Sequence, residues 1–277
     1  MIERMICNVF RKVHKNTDHN HGFRIIQLLI LLPHLVERFV MSVDLSKRSE
    51  RLKISLQKKN IESIRMQVAC AVDRSGSMHA LYNNQTVQEY MERLMPIGLK
   101  FDDNDQIDAW AFTTDASRLE AITLGNLEHF VHDQIDGLDF GGTSFEPVLA
   151  EVERYYFKHS DGGRGFFSKF FKKEENSDST DPVYLIFQTD GDNDDARATD
   201  NILSRLENEA IYIQFVGVGN DTSFSFIKKM ADKYTNVGYM HVADLANTSD
   251  DDIYGMLIND ELKTFLTTKY PSNITVA

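Results

Sequence analysis

An α/β fold is what this 277-residue sequence predicts: a mostly parallel six-stranded sheet, doubly wound, with one antiparallel edge strand and helices on both faces. Three observations carry that prediction. From Met66 onward, short apolar runs alternate with segments of helical period, the pattern of repeated strand–helix units. One pair of runs is joined by a link too short for a crossover, so it forms an antiparallel hairpin at an edge. Polar clusters stand directly after two other runs, where loops leave the carboxyl ends of strands.

In chain order, residues 1–40 come first and differ in texture, with net charge +3 against −15 for residues 41–277. They contain the strongly apolar run Ile25–Val36, which is interrupted by Pro33 and is shorter than the roughly 20 residues that cross a bilayer. Arg11, Lys12 and Lys15 precede it as in a signal peptide, but no small-x-small cleavage site follows. Residues 1–40 are read as an extension, either upstream of the true start or a peripheral anchor. Residues 41–65 are read as a short β-hairpin lead-in, Val43–Ser46 and Leu52–Leu56 flanking the polar KRSER. Such a hairpin needs a larger body to pack on.

That body is residues 66–270. Its predicted strands are Met66–Val72, Ile107–Thr113, Arg118–Leu124, Val183–Thr189, Ile211–Val218 and Tyr239–Val242, the second and third being the antiparallel pair. Between them, Thr86-Val-Gln-Glu89 reads as a capping box opening a helix with Val87, Tyr90, Met91, Leu94 and Met95 on one face, and Pro96 is expected to kink or end it. Phe145, Val148, Leu149, Val152 and Tyr156 repeat the period, as do Ile227, Met230, Ala231 and Tyr234. Residues 158–181 break the pattern and are read as a loop insertion. Within it, Phe166, Phe167, Phe170 and Phe171 alternate with lysines. Membrane contact is expected, if anywhere, through 1–40 or 166–171.

The net charge of −12 disfavours binding to phosphate backbones and so argues against nucleic acid. Two cysteines cannot form a disulfide framework, and Cys70 lies within an apolar run, which points to a reduced, cytoplasmic protein.

Three polar clusters carry the chemistry: Asp73-Arg-Ser75-Gly-Ser77-Met78 after the first strand, Gly141-Gly-Thr143-Ser144 before a helix, and Gln188-Thr-Asp190-Gly191 at the end of the fourth strand. Each alone has a plain reading. Asp and Ser after a strand are turn and N-cap residues, Thr143-Ser-Phe-Glu146 is itself a capping box, and Asp-Gly is a common turn. Together they gather differently. In a doubly wound sheet the strand order reverses between the first strand and the one laid on its other side, here Val183–Thr189, and a crevice opens at their carboxyl ends. Asp73 and Asp190 sit on those two ends, with Thr143 delivered between them. Two carboxylates and three hydroxyls, with no His or Cys, suit a hard divalent ion, Mg²⁺ with Mn²⁺ able to substitute, and disfavour zinc. With only two acidic ligands, the ion keeps enough positive character to attract a third carboxylate.

Asp73-x-Ser75-x-Ser77, Thr143 and Asp190-Gly191 resemble the metal-ion-dependent adhesion site (MIDAS) of von Willebrand factor A (vWA) domains, a Rossmann-like fold. The wider text is similar to the TerF-like branch of tellurium-resistance and stress clusters, in AVDRSGSMHALYNNQTVQE, LKFDDNDQIDAWAF, FGGTSFEPVL, FQTDGDNDD and IYIQFVGVG. The resemblance implies that Asp73, Ser75, Ser77, Thr143 and Asp190 hold the metal. It also implies that a protein partner lends an Asp or Glu, and that the setting is tellurite or stress resistance among other Ter-type proteins.

Rival readings are weaker. An EF-hand loop from Asp190 fails because its sixth position is Asp195 and its twelfth Asn201. Asp192, Asp194 and Asp195 are read instead as a solvated acidic start to the following helix. A Mg²⁺-dependent phosphoryl-transfer or hydrolytic enzyme lacks a phosphate loop and companions for the candidate bases His79 and His241. A membrane-anchored adhesin lacks secretion signals and disulfides. The expectation is therefore a metal-dependent protein-interaction module and not an enzyme.

Overall fold

The computed structural model describes residues 44–157 and 181–277. The extension 1–40 and the aromatic run 166–171 lie outside the described residues, as does all of the 158–181 segment except Asp181. The chain divides into two units, Met1–Lys47 and Arg48–Ala277. Of the first, only residues 44–47 are described, and they are helical. The second contains the sheet.

Six strands make that sheet: β2 (Gln67–Asp73), β3 (Asp108–Phe112), β4 (Ala116–Arg118), β5 (Val183–Thr189), β6 (Ile211–Val218) and β7 (Val237–Val242). Their order is β4-β3-β2-β5-β6-β7, parallel throughout except for the antiparallel β3–β4 pair. β2 has β3 on one side and β5 on the other, so the winding reverses between β2 and β5 as the sequence predicts. A separate two-stranded antiparallel sheet joins β1 (Ile61–Ile64) to β8 (Ile274–Val276).

The helices are α1 (residues 44–58), α2 (His79–Asn83), α3 (Thr86–Phe101), α4 (Phe130–Gln134), α5 (Glu146–Tyr156), α6 (Ala196–Leu206), α7 (Ser225–Lys233), α8 (Asp250–Leu257) and α9 (Asp260–Lys269). On one face of the sheet, Ala69, Ala71, Phe112, Phe187 and Phe215 pack against α5, α6 and α7. Rings there stack across strands, Phe112 to Phe187 at 4.7 Å and Phe187 to Phe215 at 4.8 Å, and Phe145 at the start of α5 lies 4.9 Å from Phe187. Each such ring gains about 2 to 3 kcal/mol from burial. The other face takes α8 and α9: Tyr184 Oη donates to the Leu257 carbonyl and Asn259 Nδ2 donates to Gln214 Oε1. The α8 residue Tyr254 in turn donates to the Arg93 carbonyl of α3.

Four local expectations are corrected. The lead-in hairpin is a helix, because KRSER contains no Gly, Pro, Asn or Asp to turn the chain and Leu52, Ser55 and Leu56 bury at helical spacing. The predicted strand Arg118–Leu124 is a three-residue strand ending at Arg118, followed by one bridge between Ile107 and Ile122. Of the two outcomes expected at Pro96, a kink or an end, the end is excluded, since α3 continues to Phe101. Met95, Pro96, Ile97 and Gly98 are all buried, and this packing outweighs the roughly 3 kcal/mol that an interior proline costs. Finally, Gln85 and not Thr86 stands at the N-cap of α3, with φ 67°, and Asn84 Oδ1 accepts from the Thr86 amide.

Among the described residues, no helix is long and apolar enough to cross a membrane.

Candidate metal centre

β2 and β5 run side by side and place Asp73 and Asp190 at adjoining carboxyl ends. Asp73 is fully buried. Its Oδ1 accepts from the Ser75 amide at 2.6 Å and its Oδ2 from Thr189 Oγ1 at 2.6 Å. Ser75 Oγ and Ser77 Oγ are 3.0 Å apart, and Ser77 Oγ donates to Asp190 Oδ1 at 2.8 Å. The Ser75, Ser77 and Asp190 oxygens thus form a continuous hydrogen-bonded chain, and Asp73 joins it through the Ser75 amide. Burial pushes the Asp73 carboxyl up to about 6, against the lowering effect of the Thr189 and Ser75 bonds. Burial raises Asp190 as well, opposed by the Ser77 hydroxyl.

Thr143 is placed differently. It is half-buried on the loop before α5, and among the described residues no hydrogen bond joins its hydroxyl to the other four. Its backbone is held instead. The Thr143 carbonyl accepts from the Asp194 amide at 2.8 Å, and Asp194 Oδ2 lies 3.4 Å from the Thr143 amide. The predicted Thr143–Glu146 capping box is absent. α5 begins at Glu146, and the Asp195 carboxylate accepts from the Phe145 amide at 3.0 Å and the Glu146 amide at 2.8 Å. Thr143 is therefore free of the capping role.

Two further residues build the site without being evident in its motifs. Thr189 orients Asp73, as above. Arg74 is buried, with its guanidinium 4.3 Å from the Phe140 ring centroid and bonded to the carbonyls of Asp139 and Asp136 at 3.2 and 3.4 Å. It clamps the segment leading to Thr143 onto the Asp73 loop, and two backbone bonds complete the seam: Gly141 N to Arg74 O at 3.3 Å and Gly76 N to Gly141 O at 3.0 Å. A Cβ on Gly141 would lie 2.8 Å from Thr113 Cβ, so this approach requires glycine.

The expected solvated acidic start to α6 is also corrected. Asp192 accepts from Ser225 Oγ at 2.9 Å and from the Phe226 amide at 3.0 Å, capping α7, while Asp195 caps α5. Backbone amides at helix starts lack intrahelical partners, and these carboxylates supply them.

The donor set fits a small hard cation. Adjacent oxygens on an octahedral Mg²⁺ ion, about 2.1 Å from the metal, lie about 3 Å apart. That matches the Ser75–Ser77 and Ser77–Asp190 separations. A bound cation would oppose the burial effect that raises both carboxyls. Among the described residues, no group of three or more His, Cys, Asp or Glu side chains that could hold a metal is gathered, so the two carboxylates here would depend on hydroxyl oxygens to complete a ligand set.

The chain is similar to several known proteins. A curated relative, the uncharacterized protein YcbR of Bacillus subtilis (strain 168), is 28% identical over 225 residues, 78% of this chain and 84% of that protein. Proximal thread matrix protein 1 from the mussel byssus, solved with a zinc-occupied MIDAS motif, matches at TM-score 0.48 and 14% identity over 71% of this chain and 48% of that one. The ArnB paralog VWA2 from Sulfolobus acidocaldarius matches at TM-score 0.40 and 18% identity, over 66% and 43%. The chain thus spans less than half the length of either of these solved chains. The family model for vWA-TerF-like domains, described as the vWA found in the TerF C terminus, matches residues 65–275, more than two thirds of the sequence, and the chain belongs to that family.

Proposed function

We propose that this vWA domain is a metal-dependent protein-interaction module. Mg²⁺, with Mn²⁺ able to substitute, is held by Asp73, Ser75, Ser77 and Asp190, with Thr143 beside them, and takes an Asp or Glu side chain from a partner. The observation that carries the reading is the gathering of the Ser75, Ser77 and Asp190 oxygens beside Asp73 at the β2 and β5 ends, with neighbouring oxygens 2.8 and 3.0 Å apart, a spacing an octahedral hard ion can accept. The metal supplies a positive centre for an incoming carboxylate. The protein holds its own donors in place through Thr189 and Arg74.

The reading treats the protein as a binder and not an enzyme. His79, the nearest candidate base, is exposed, is paired through Nδ1 with Asn83 Nδ2 at 2.9 Å, and packs against Phe140. Among the described residues it has no carboxylate partner of the kind a general base uses. The proposed setting is cytoplasmic, which the buried free thiol of Cys70 supports, with other Ter-type proteins as partners in tellurite or stress resistance.

The test is thermal unfolding of metal-free protein. Millimolar Mg²⁺ or Mn²⁺ should raise Tm, and Asp73→Ala should abolish the rise. Binding to the native state alone adds about 2.7 kcal/mol at a hundredfold excess over Kd. No rise with either ion would overturn the reading. Co-purification with and without EDTA then tests the partner.

A further inference from the structure

The loop from Asp190 to Asp195 does more than deliver one metal-site carboxylate. These six residues carry three anchorages. Asp190 accepts from Ser77 in the metal centre. Asp192 binds the first amides of α7, those of Phe226 at 3.0 Å and Ile227 at 3.4 Å, and the Ser225 hydroxyl. Asp195 binds the first amides of α5 and is itself fixed by Thr199 Oγ1 at 2.9 Å and by Asn193 Nδ2. Asp194 adds a backbone bond to the Thr143 carbonyl. The Thr143 loop and the Asp190 loop, 47 residues apart in sequence, are therefore stitched into one body.

We propose that Asp195 and Asp192 are positioning residues that transmit the state of the metal centre to the N-termini of α5 and α7. Resting on the metal-centre reading above, this names the route by which that site acts on the rest of the domain. The physical basis is the shortness of the loop. When an ion draws Asp190 inward, the following five residues have little slack, so the two caps shift with it. The first amides of a helix have no intrahelical acceptor, and their protection reports the cap directly. Asp195 serves the helix that Thr143 leads into, whereas Asp192 serves a helix with no residue in the metal centre. The two arms are thus separable.

Amide hydrogen exchange of the full chain, with and without saturating Mn²⁺, tests this. In the parent protein, Mn²⁺ should change exchange by about twofold or more at the starts of both α5 and α7. Asp195→Asn should lose the metal-dependent change at α5 and retain it at α7, and Asp192→Asn should do the reverse. Asn matches Asp in shape and retains one acceptor oxygen, so both variants should fold. A purely structural cap would raise exchange equally with and without metal and leave the metal-dependent difference intact. Mn²⁺ binding, followed by its effect on water proton relaxation, is measured in parallel. If Mn²⁺ binds the parent but neither helix start responds, or if both responses persist in both variants, the relay is wrong while the metal centre stands. If the parent binds no Mn²⁺, both fall together.

Discussion

At the scale of single residues, Thr189 shows how the centre is set up from outside its ligand set. Its hydroxyl has one proton and lies 2.6 Å from Asp73 Oδ2 and 3.1 Å from the Gly191 carbonyl, and the shorter contact to a carboxylate is the stronger. Thr189→Val keeps the shape and removes the donor, leaving a buried carboxylate oxygen short of a partner. Unfolding by urea in EDTA should show a loss of about 1 to 3 kcal/mol with an unchanged slope. An unchanged midpoint would mean that Asp73 does not depend on Thr189. Asp73, Ser75, Ser77 and Asp190 were legible in the sequence only from their combination: each cluster alone reads as a turn or cap, but they follow the two strands between which the winding reverses. Arg74 and Asp195 were not. Their partners are backbone carbonyls and amides about 50 to 65 positions away, and a backbone group leaves no mark in sequence.

At the scale of elements, the turn from α3 into β3 contains a carboxylate that titrates. Asp102 accepts from the Val68 amide at 2.8 Å and the Asn104 amide at 2.9 Å, tying the end of α3 to the start of β2. Burial nevertheless raises its carboxyl to about 6, with the charges of Asp108 and Asp103 adding to the rise. The sign follows from linkage. The folded state holds this proton above the unfolded value of 3.8, so Asp102 makes stability fall as pH rises from about 4 to about 6. Asp102→Asn cannot titrate and keeps an acceptor oxygen. The difference in stability between parent and variant should therefore move in the variant's favour over that interval and stay level above it. A constant difference from pH 4 to 7 would overturn the assignment. The elements read correctly in advance were the central strands, whose unbroken apolar runs admit one interpretation in a parallel sheet. Those misread or missed were short and peripheral. LKISL fits period 2 and period 3.6 equally well, and β4 and β8, each three residues long, are defined by their partners β3 and β1 more than by their own composition.

At the scale of the whole sheet-bearing unit, one face of the sheet shares a core with α5, α6 and α7, and a single tryptophan reports on it. Trp110 is fully buried in β3, with Tyr155 of α5 edge-on at 5.6 Å and the Arg118 guanidinium 5.9 Å from its ring centroid. β3 pairs directly with β2, which carries Asp73, so Trp110 lies one strand from the metal centre. A strand between its neighbours cannot leave the sheet without exposing both, and α5 packs on the same face as the Phe145, Phe187 and Phe215 stack. Loss of the environment around Trp110 should therefore coincide with loss of the helices, the signature of a two-state transition. Trp110 emission should be blue-shifted in the native state. Its urea transition and that of far-UV circular dichroism should overlay within error, both in EDTA and in Mg²⁺, with the pair moving together to higher urea when metal binds. Metal that shifted only one of the two curves would show that the centre stabilises a part of the sheet that unfolds on its own, and the shared core would have to be divided between β2 and β3.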